Sequence, residues 1–443
     1  MPINTKYTGY DNEMKKVGRV RDFAEGSDAV KAKGETYLPK LGGQSNDDYE
    51  AYKARTYLLP GVSPATKAAK GALTRKEPAL NVSGAPYLEG GISGAGGDIN
   101  SFIFDMAEEL LHAGGVGYLV EYTDNPIVKT YKRENIVNAS SDYIVLSQSY
   151  TEQDKNDKYI QVSKTEYLEL TFDENGNYIQ NIWRNKGGDS AYVIDETLFP
   201  SNRGEPLKEI PFVYGGNGGV MDSEPMFLHL ANINWMHYMR SAGEGHGLHW
   251  CSLPTGFVFG DLRDEDGNKK GITVGPGRFN HIDDTEARVQ FLEFTGAGMG
   301  FVATNLDKLK GDMAAIGASM LADESGGVKA AETARIDASS ETATLSVMAN
   351  IIDATMADIL LIMSEWGGFT LPTFKANRDF IDLKLDPQSL LAYLQVVNAG
   401  RMSLDSFLNL LFKGELLPKG VTAKDEAVRL DQPGGDFEEV TEL

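Results

Sequence analysis

The chain has 443 residues, of which 64 are acidic and 42 basic, so its formal net charge is −22. This length suits two or three domains, and an apolar fraction of 41% excludes a wholly disordered chain. The acidic balance argues against a protein that grips DNA through Lys and Arg contacts to phosphate. A single cysteine, Cys251, excludes an internal disulfide. The sequence has no run of 18 consecutive apolar residues, so no membrane span and no membrane partner are predicted.

The first 45 residues are polar and rich in Gly and Lys, which predicts a surface segment or a contact with a neighbouring subunit. Residues 52–78 then carry six basic residues against one acid, Glu77. This excess indicates either a solvated helix face or a surface for nucleic acid or an acidic partner. The candidates for such a basic patch are Lys67, Lys70, Arg75 and Lys76.

A helix, a buried strand and a hairpin are predicted in the following segment. Asp98 is expected to cap a helix over 99–112, and residues 117–122 form an apolar strand pattern. Residues 142–214 are typical of β-structure, with a hairpin whose Asn-Gly turn lies within 173–177. The glycines of 215–219 are then expected to form a hinge or a domain boundary.

The second half of the chain is predicted to be helical around one β-rich insert. The insert covers 253–294, with strands at 255–259 and 289–294. Gly243, Gly245 and Gly247 are expected to interrupt the first helix early. The tail, 424–443, has seven acids and two bases, which predicts a poorly ordered or partner-bound end. The predicted helices span 226–240, 304–321, 330–366, 386–399 and 403–412.

Local enzyme motifs are absent from the sequence. It contains neither a Gly-x4-Gly-Lys-Ser/Thr phosphate loop nor a Gly-x-Ser-x-Gly nucleophile elbow. Gly296, Gly298 and Gly300 have the wrong spacing for a nucleotide loop and indicate a turn. No catalytic residue and no cofactor are predicted, although an active site built from scattered residues stays an alternative.

Three histidines and the cysteine are close in sequence, which raises the question of a metal site. His237, His246, His249 and Cys251 fall within fifteen positions. A closed zinc site usually takes four ligands in recognisable pairs, and no second pair exists. We therefore interpret these residues as packing near a helix end and predict no metal.

Short motifs spread over most of the chain resemble the portal proteins of tailed bacteriophages. Their order and spacing carry the resemblance, because each motif is weak alone. The resembling residues are Tyr37-Leu-Pro-Lys40, Tyr49 to Arg55, Gly71-Ala-Leu-Thr-Arg-Lys-Glu-Pro78, Asn232-Ile-Asn234, Tyr238, Ser241-Ala242, His246-Gly-Leu-His249, Pro254-Thr255, Gly275-Pro276, Leu292-Glu-Phe294, Met313 to Leu321, Glu332-Thr-Ala-Arg335, Trp366, Asn398-Ala-Gly-Arg-Met-Ser403 and Glu426 to Leu430.

This resemblance implies an α+β portal fold with a wing, a two-helix stem, a β-rich clip, a tunnel loop, a long wing helix and a small helical crown. On this chain the wing would be 1–217 and the first stem helix region 218–253. The remaining parts would be the clip (254–302), the second stem helix (303–321), the tunnel loop (322–332), the long wing helix with returning strands (333–385), and crown-like helices with an acidic tail (386–443).

The resemblance also implies a virion structural protein rather than an enzyme. Portal subunits form a ring, usually of twelve copies, at one capsid vertex, and the particle is assembled in the host cytoplasm. Double-stranded DNA passes through the ring. The ring contacts the terminase large subunit during packaging, and the major capsid protein and a head-completion or tail adaptor protein also bind it. The alternative is another head–tail connector or a scaffold protein of the virion.

Three groups of residues are expected to carry this function. We expect a mainly acidic channel, because an acidic lining repels the DNA backbone and does not hold it. The basic patch of 52–78 would then lie on the outer wing. In the tunnel loop, the candidates that face DNA are Gly326, Gly327 and Lys329. In the clip, the candidates that dock partners are Asp264, Glu265, Asp266, Lys269 and Lys270.

Overall fold

The chain folds into two units, a large unit of Met1–Arg378 and a small unit of Asp379–Leu443. Helices and strands both build the large unit, which confirms the predicted α+β class. The computed structural model describes residues 2–82, 84–93, 98–122, 125–153, 157, 159–186, 192–252, 255–259, 288–292, 298–318, 331–380, 387–413, 416–418 and 421–431.

The helices of the described residues are α1 (Tyr10–Glu25), α2 (Ser27–Ala32), α3 (Asn46–Arg55), α4 (Val62–Leu73), α5 (Ile99–Ala113), α6 (Leu228–Ser252), α7 (Met299–Ala318), α8 (Ala331–Gly367), α9 (Pro387–Asn398), α10 (Leu404–Lys413) and α11 (Ala423–Asp431). The strands are β1 (Ala79–Asn81), β2 (Gly115–Tyr122), β3 (Pro126–Lys132), β4 (Ile136–Ala139), β5 (Ile144–Gln153), β6 (Gln161–Phe172), β7 (Tyr178–Asn185), β8 (Tyr192–Leu198), β9 (Ser201–Asn202), β10 (Glu205–Pro206), β11 (Phe212–Gly216), β12 (Thr255–Phe259), β13 (Arg288–Leu292) and β14 (Thr373–Lys375).

The two larger sheets of the large unit are antiparallel, and β1–β14, β9–β10 and β12–β13 form three further antiparallel pairs among the described residues. One of the two larger sheets has five strands in chain order, from β4 to β8, and the other has three in the order β11, β2, β3. A shared apolar cluster joins them, with Leu119 of β2 and Leu168 of β6 both buried in it. The predicted hairpin is confirmed as β6 and β7, which pair from Phe172 and Tyr178 outwards.

The predicted cap of α5 is also confirmed. The Asp98 carboxylate accepts a hydrogen bond of 2.8 Å from the backbone N–H of Ser101, which satisfies one N–H of the first helical turn. α5 ends at Gly114, whose φ of +81° lies in the left-handed region. At this position a Cβ would lie 2.5 Å from the carbonyl oxygen of Glu224, so only glycine fits.

The prediction of a surface segment at the N-terminus is wrong for α1. Val17, Val20 and Phe23 lie on one face of this helix and are buried in the core. The Phe23 ring makes an edge-to-face contact with Tyr238 of α6, with 6.4 Å between ring centres. Most other residues of α1 are polar, so the overall composition of this segment does not reveal its apolar stripe.

The glycines at 215–219 do not form a hinge, and this prediction is corrected. Gly215 and Gly216 lie in β11 and pair with β2. A Cβ at Gly215 would be 2.6 Å from Oγ1 of Thr355 on α8. The missing side chain at Gly215 therefore lets β11 approach α8 closely. The glycine is needed here for this close packing and not for chain flexibility.

α8 confirms the long predicted helix and would be about 55 Å long at 1.5 Å per residue. By length and composition, its part Thr344–Gly367 could cross a membrane, and 44% of the apolar window is buried within the protein. Met348, Ile352 and Met356 belong to the buried stripe, and the helix packs on β2, β3 and β11. Core packing thus accounts for this apolar composition.

The small unit contains α9, α10 and α11 in its described residues. Phe407 and Leu408 of α10 and Ala423 of α11 are buried where these two helices meet. The predicted ordered helices at 386–399 and 403–412 are confirmed as α9 and α10. The acidic tail prediction is corrected for residues 423–431, which form α11, while residues 432–443 lie outside the described part of the chain.

Candidate functional site

Two antiparallel helices with a hairpin between them in sequence form the region where the predictions place the stem and the clip. Gly247, near the end of α6, lies beside Met299 at the start of α7, and a Cβ there would be 2.5 Å from Sδ of Met299. β12 and β13 pair with each other between these helices in the chain. We call α6, β12, β13 and α7 the helix–hairpin module. The two strands predicted in the β-rich insert are confirmed, and they pair antiparallel over 255–259 and 288–292.

α6 is longer than predicted, because the glycines at 243, 245 and 247 do not interrupt it. The helix continues to Ser252 and would be about 37 Å long. A Cβ at Gly245 would be 3.1 Å from the carbonyl oxygen of Arg55, at the end of α3. Two of the three glycines therefore allow α3 and α7 to approach α6. The helix tolerates them because tertiary packing outweighs their low helix propensity.

One buried amide fixes α6 to the chain before it. The Asn234 side chain is fully buried. Its Nδ2 donates to the carbonyl oxygen of Leu59 at 2.9 Å, and its Oδ1 accepts from the backbone N–H of Gly61 at 3.1 Å. Both polar ends of the amide are thus satisfied by a segment that lies far away in sequence, as burial of a polar side chain requires.

A second contact holds the neighbouring turn of α6. The Trp235 indole N–H donates to the carbonyl oxygen of Tyr37 at 2.8 Å. The Arg19 guanidinium lies 4.5 Å from the centre of the Trp235 ring and donates to Oδ1 of Asn232. A cation over an indole face is favourable and directional. This residue pair therefore orients α6 relative to α1.

Further along α6, the same face continues to contact the N-terminal region. The Ser241 hydroxyl donates to the carbonyl oxygen of Tyr57 at 2.6 Å, and Ala242 is fully buried. The His246 ring meets Tyr52 edge to face, with 5.4 Å between ring centres. The residues that carry the sequence resemblance in α6 are thus its anchoring face.

α7 has one buried face and one exposed face. Leu306, Leu309 and Met313 are buried at helical spacing, whereas Phe301 is 82% exposed. Together α6 and α7 contain three basic residues (Arg240, Lys308, Lys310) and three acidic residues (Glu244, Asp307, Asp312). The helix pair therefore contributes no formal net charge, and the excess of acid lies elsewhere in the chain.

His237 is buried and His246 is half-buried, whereas His249 is exposed near the end of α6. Burial lowers the pKa of His237, and nearby Lys310 lowers it further. Burial and the charge of Arg55 also lower the pKa of His246. Within the described residues, no group of three or more His, Cys, Asp or Glu side chains is placed to hold a metal ion. The glycine run before α7 begins outside the described residues, and Gly300 already lies in the helix.

The four basic-patch candidates lie in different surroundings. Lys67 is exposed on α4, and Arg75 and Lys76 are half-buried with interaction partners. Lys70 is buried, pairs with the carboxylate of Glu108 on α5, and has its Nζ 3.6 Å from the centre of the Phe104 ring. Lys70 therefore belongs to the contact between α4 and α5 and not to an exposed patch. Its position beside the buried stripe of α4 explains the difference.

The other candidate residues cannot be placed in the fold. The tunnel-loop candidates Gly326, Gly327 and Lys329 lie outside the described residues. So do the clip candidates Asp264, Glu265, Asp266, Lys269 and Lys270.

Sequence reasoning missed the partners of the anchoring face, namely Arg19, the carbonyl oxygens of Tyr37, Tyr57 and Leu59, and the N–H of Gly61. Four of these five partners are backbone groups, which leave no signal in residue type. The available signal was polar residues spaced along α6 at positions 234, 238 and 241, which share one helix face.

A family model matches less than half of the chain. The family is described as "Domain of unknown function (DUF4055)", and the match covers residues 226–367. This range contains the whole helix–hairpin module and α8. No curated protein matches the chain.

Three solved structures are similar to the chain. One is the virion of a native gene transfer agent (GTA) particle, with 12% identity and a TM-score of 0.42, covering 89% of this chain and 98% of that chain. Another is the neck of a native GTA particle computed with C12 symmetry. It has 10% identity and a TM-score of 0.41, and the match covers 92% of this chain and 99% of that chain. The third is the neck of an empty GTA particle computed with C6 symmetry. It has 11% identity and a TM-score of 0.42, and the match covers 88% of this chain and 98% of that chain. At such identities and TM-scores the likeness assigns no function to this chain.

Proposed function

We propose that this chain is a portal-type subunit. Copies of it would form a ring at one vertex of a tailed-phage-like particle, and double-stranded DNA would pass through the ring. The observation that carries the proposal is the order of elements α6, β12–β13, α7 and α8. This is the order of stem helix, clip, returning stem helix and long wing helix in the family that the sequence motifs resemble.

The anchoring of α6 supports a mechanical role. A channel wall has to keep its shape while a stiff polymer moves along it. The bonds of Asn234, Trp235 and Ser241 fix α6 to segments near residues 37 and 57–61. Because a satisfied, buried polar contact has a defined geometry, these bonds hold the stem at one angle on the wing.

The charge distribution supports a conduit that does not grip DNA. Duplex DNA carries a negative charge every ~1.7 Å of its axis, and proteins that hold it release counterions through Lys and Arg contacts. The helix pair has equal numbers of acidic and basic residues, and the chain as a whole carries −22. In our proposal the lining is neutral at the helix pair and acidic elsewhere, with Lys329 as the cation that reaches the DNA.

The partners of the proposed ring follow from the resemblance. The clip, 254–302, would dock the terminase large subunit during packaging and a head-completion or tail adaptor protein afterwards. The wing would contact the major capsid protein. In this proposal the protein is a structural component of the virion and catalyses no reaction.

The first test is the mass and shape of the purified chain. A closed ring of twelve identical subunits of 48.3 kDa each would have a mass of about 580 kDa. Mass photometry should report a single species of about that size, and negative-stain images should show a toroid with a central hole. A monomer or dimer at micromolar concentration would overturn the proposal.

The second test addresses the lining. A 30-base-pair duplex is mixed with the ring at 50 mM and 200 mM salt, and binding is followed by fluorescence anisotropy. We expect weak binding with a shallow salt dependence at both concentrations. Tight binding that falls steeply with salt would indicate a basic channel and would contradict the proposed lining.

A further inference from the structure

The two edges of the five-stranded sheet differ in their protection. At the β4 edge the chain covers itself: the N–H of Tyr7 donates to the carbonyl oxygen of Val137 at 3.1 Å, and Nδ2 of Asn138 donates to the carbonyl oxygen of Thr5 at 3.1 Å. At the other edge, β8 pairs only with β7 among the described strands. Within the described residues, one edge of this sheet is therefore open to a further strand.

The open edge is apolar along most of its length. Val193 is 42% exposed, Ile194 is 47% exposed and Leu198 is 38% exposed, and Phe199, which directly follows β8, is 71% exposed. The acid Asp195 is neutralised by ion pairs with Arg184 of β7 and with Lys186, which directly follows β7. An open apolar edge is a template for strand addition, and proteins usually protect such edges.

The same sheet also sends out a two-stranded arm. β5 and β6 pair from Ile144 and Leu170 to Gln153 and Gln161, but pairing of β6 with β7 begins only at Tyr167. Residues 149–153 and 161–165 therefore form a ribbon without a third strand in the described part of the chain. Ile160 is 52% exposed and Val162 is 37% exposed. A ribbon of two strands has little stability of its own, so it gains from a partner.

We propose that the arm of one copy, the described residues 149–153 and 160–165, packs against the β8 edge of the next copy. This inference rests on the proposed ring and names one of its subunit contacts. The arm and the edge are different surfaces of the same chain, so the contact is head-to-tail, and each copy gives one arm and accepts another. Such a contact repeats around a ring and closes by rotation.

Charge favours a second copy as the occupant of the edge. Two chains of −22 repel each other unless their contact surfaces are neutral or paired. The described residues of the arm carry one acid, Glu152, and one base, Lys164, which form an ion pair, so the arm has no net charge. The alternative in which two β8 edges pair about a twofold axis leaves both arms uncovered.

Cross-linking between cysteines tests the contact. Cys251 is replaced by Ser, and Val162→Cys and Ile194→Cys are introduced together. A short bis-maleimide, which tolerates a shift of strand register, is then added to the assembled ring. We expect a ladder of covalent dimers, trimers and higher oligomers on denaturing gels. The matched control, Ile194→Cys with Leu361→Cys on the exposed face of α8, should stay monomeric.

The alternative outcomes of the cross-linking experiment contradict different parts of the proposal. Dimers from Ile194→Cys alone would indicate twofold pairing of β8 and overturn the proposal. An intact ring by mass photometry without a ladder would overturn the arm contact but leave the ring proposal standing. A species that never exceeds a monomer or dimer in the Cys251→Ser parent would overturn the proposed function itself.

A second variant tests the contact without cross-linking. Ile160→Asp with Val162→Asp places two charges on a surface that is solvent-exposed in the single chain. We expect at least a tenfold loss of ring at a fixed concentration, with an unchanged thermal midpoint of the monomer. A ring yield equal to that of the parent would contradict the proposal.

Discussion

The buried amide of Asn234 gives the sharpest test of how α6 is held. Asn234→Ala removes two hydrogen bonds and leaves the carbonyl oxygen of Leu59 and the N–H of Gly61 without their partner. A buried polar group that loses its partner costs about 1–3 kcal/mol. We therefore expect the free energy of unfolding to fall by about 2–5 kcal/mol, measured by urea denaturation with circular dichroism.

Asn234→Asp separates the two bonds. The carboxylate still accepts from the N–H of Gly61 but faces the Leu59 carbonyl oxygen with no proton to donate. Burial raises the pKa of a carboxyl group above its unfolded value. The folded state then binds a proton more tightly, so the variant is closest to wild type at low pH and loses stability as pH rises. We expect a larger loss at pH 8 than at pH 5.

The control and the refuting results are direct. Asn305, exposed on α7, provides a matched substitution, and Asn305→Ala should change the free energy of unfolding by less than about 0.5 kcal/mol. If Asn234→Ala were equally silent, the amide would not anchor α6. If the loss in Asn234→Asp were the same at pH 5 and pH 8, its carboxylate would not be buried against the Leu59 carbonyl.

Three further predictions concern the large unit. Burial lowers the pKa of His112 to about 4, so the unfolded state binds more protons than the folded state between pH 6.5 and 4. The stability of the protein therefore falls as pH drops through that window. The urea midpoints at pH 7 and pH 5 should differ less in His112→Gln than in the wild type, and an equal difference would contradict this reasoning. Gly215→Ala should cost about 1–3 kcal/mol through its clash with Thr355, and a double-mutant cycle with Thr355→Ala should recover at least half of it. Lys70→Ala should lower the free energy of unfolding by about 1–2 kcal/mol, because it removes the buried ammonium group that pairs with the Glu108 carboxylate. Lys67→Ala, at an exposed position about one turn away on α4, should leave the free energy of unfolding unchanged. Equal effects of the two substitutions would refute the assignment of Lys70 to the helix contact.

Elements with strong local signals were predictable. Asp98 and the apolar stripe after it fixed the start of α5, and the Asn-Gly turn fixed the β6–β7 hairpin. α8 was predictable because no proline interrupts it and the glycines Gly367 and Gly368 mark its end. In each case, residues within one or two turns of each other carry the information, so the sequence alone can be interpreted.

Glycines show where this local reasoning fails. Gly215 and Gly245 look like chain breakers in composition, yet one lies in a paired strand and the other in a continuous helix. Their role is to admit Thr355 and the Arg55 carbonyl at short distance. A close approach between segments more than a hundred residues apart has no local signature, so the sequence could indicate the glycines but not their purpose.

The sequence by itself determined the order of helices and strand pair from α6 to α10, the net charge of −22 and the polar residues along α6. Only the tertiary structure decided that Asn234 and Ser241 bind backbone groups near residues 57–61, and that Lys70 is buried in an ion pair. It also decided that, among the described residues, one sheet edge is covered while the other has no partner strand. The physical reason is that helix and turn formation depend on neighbours in the chain, whereas burial depends on which distant segments meet.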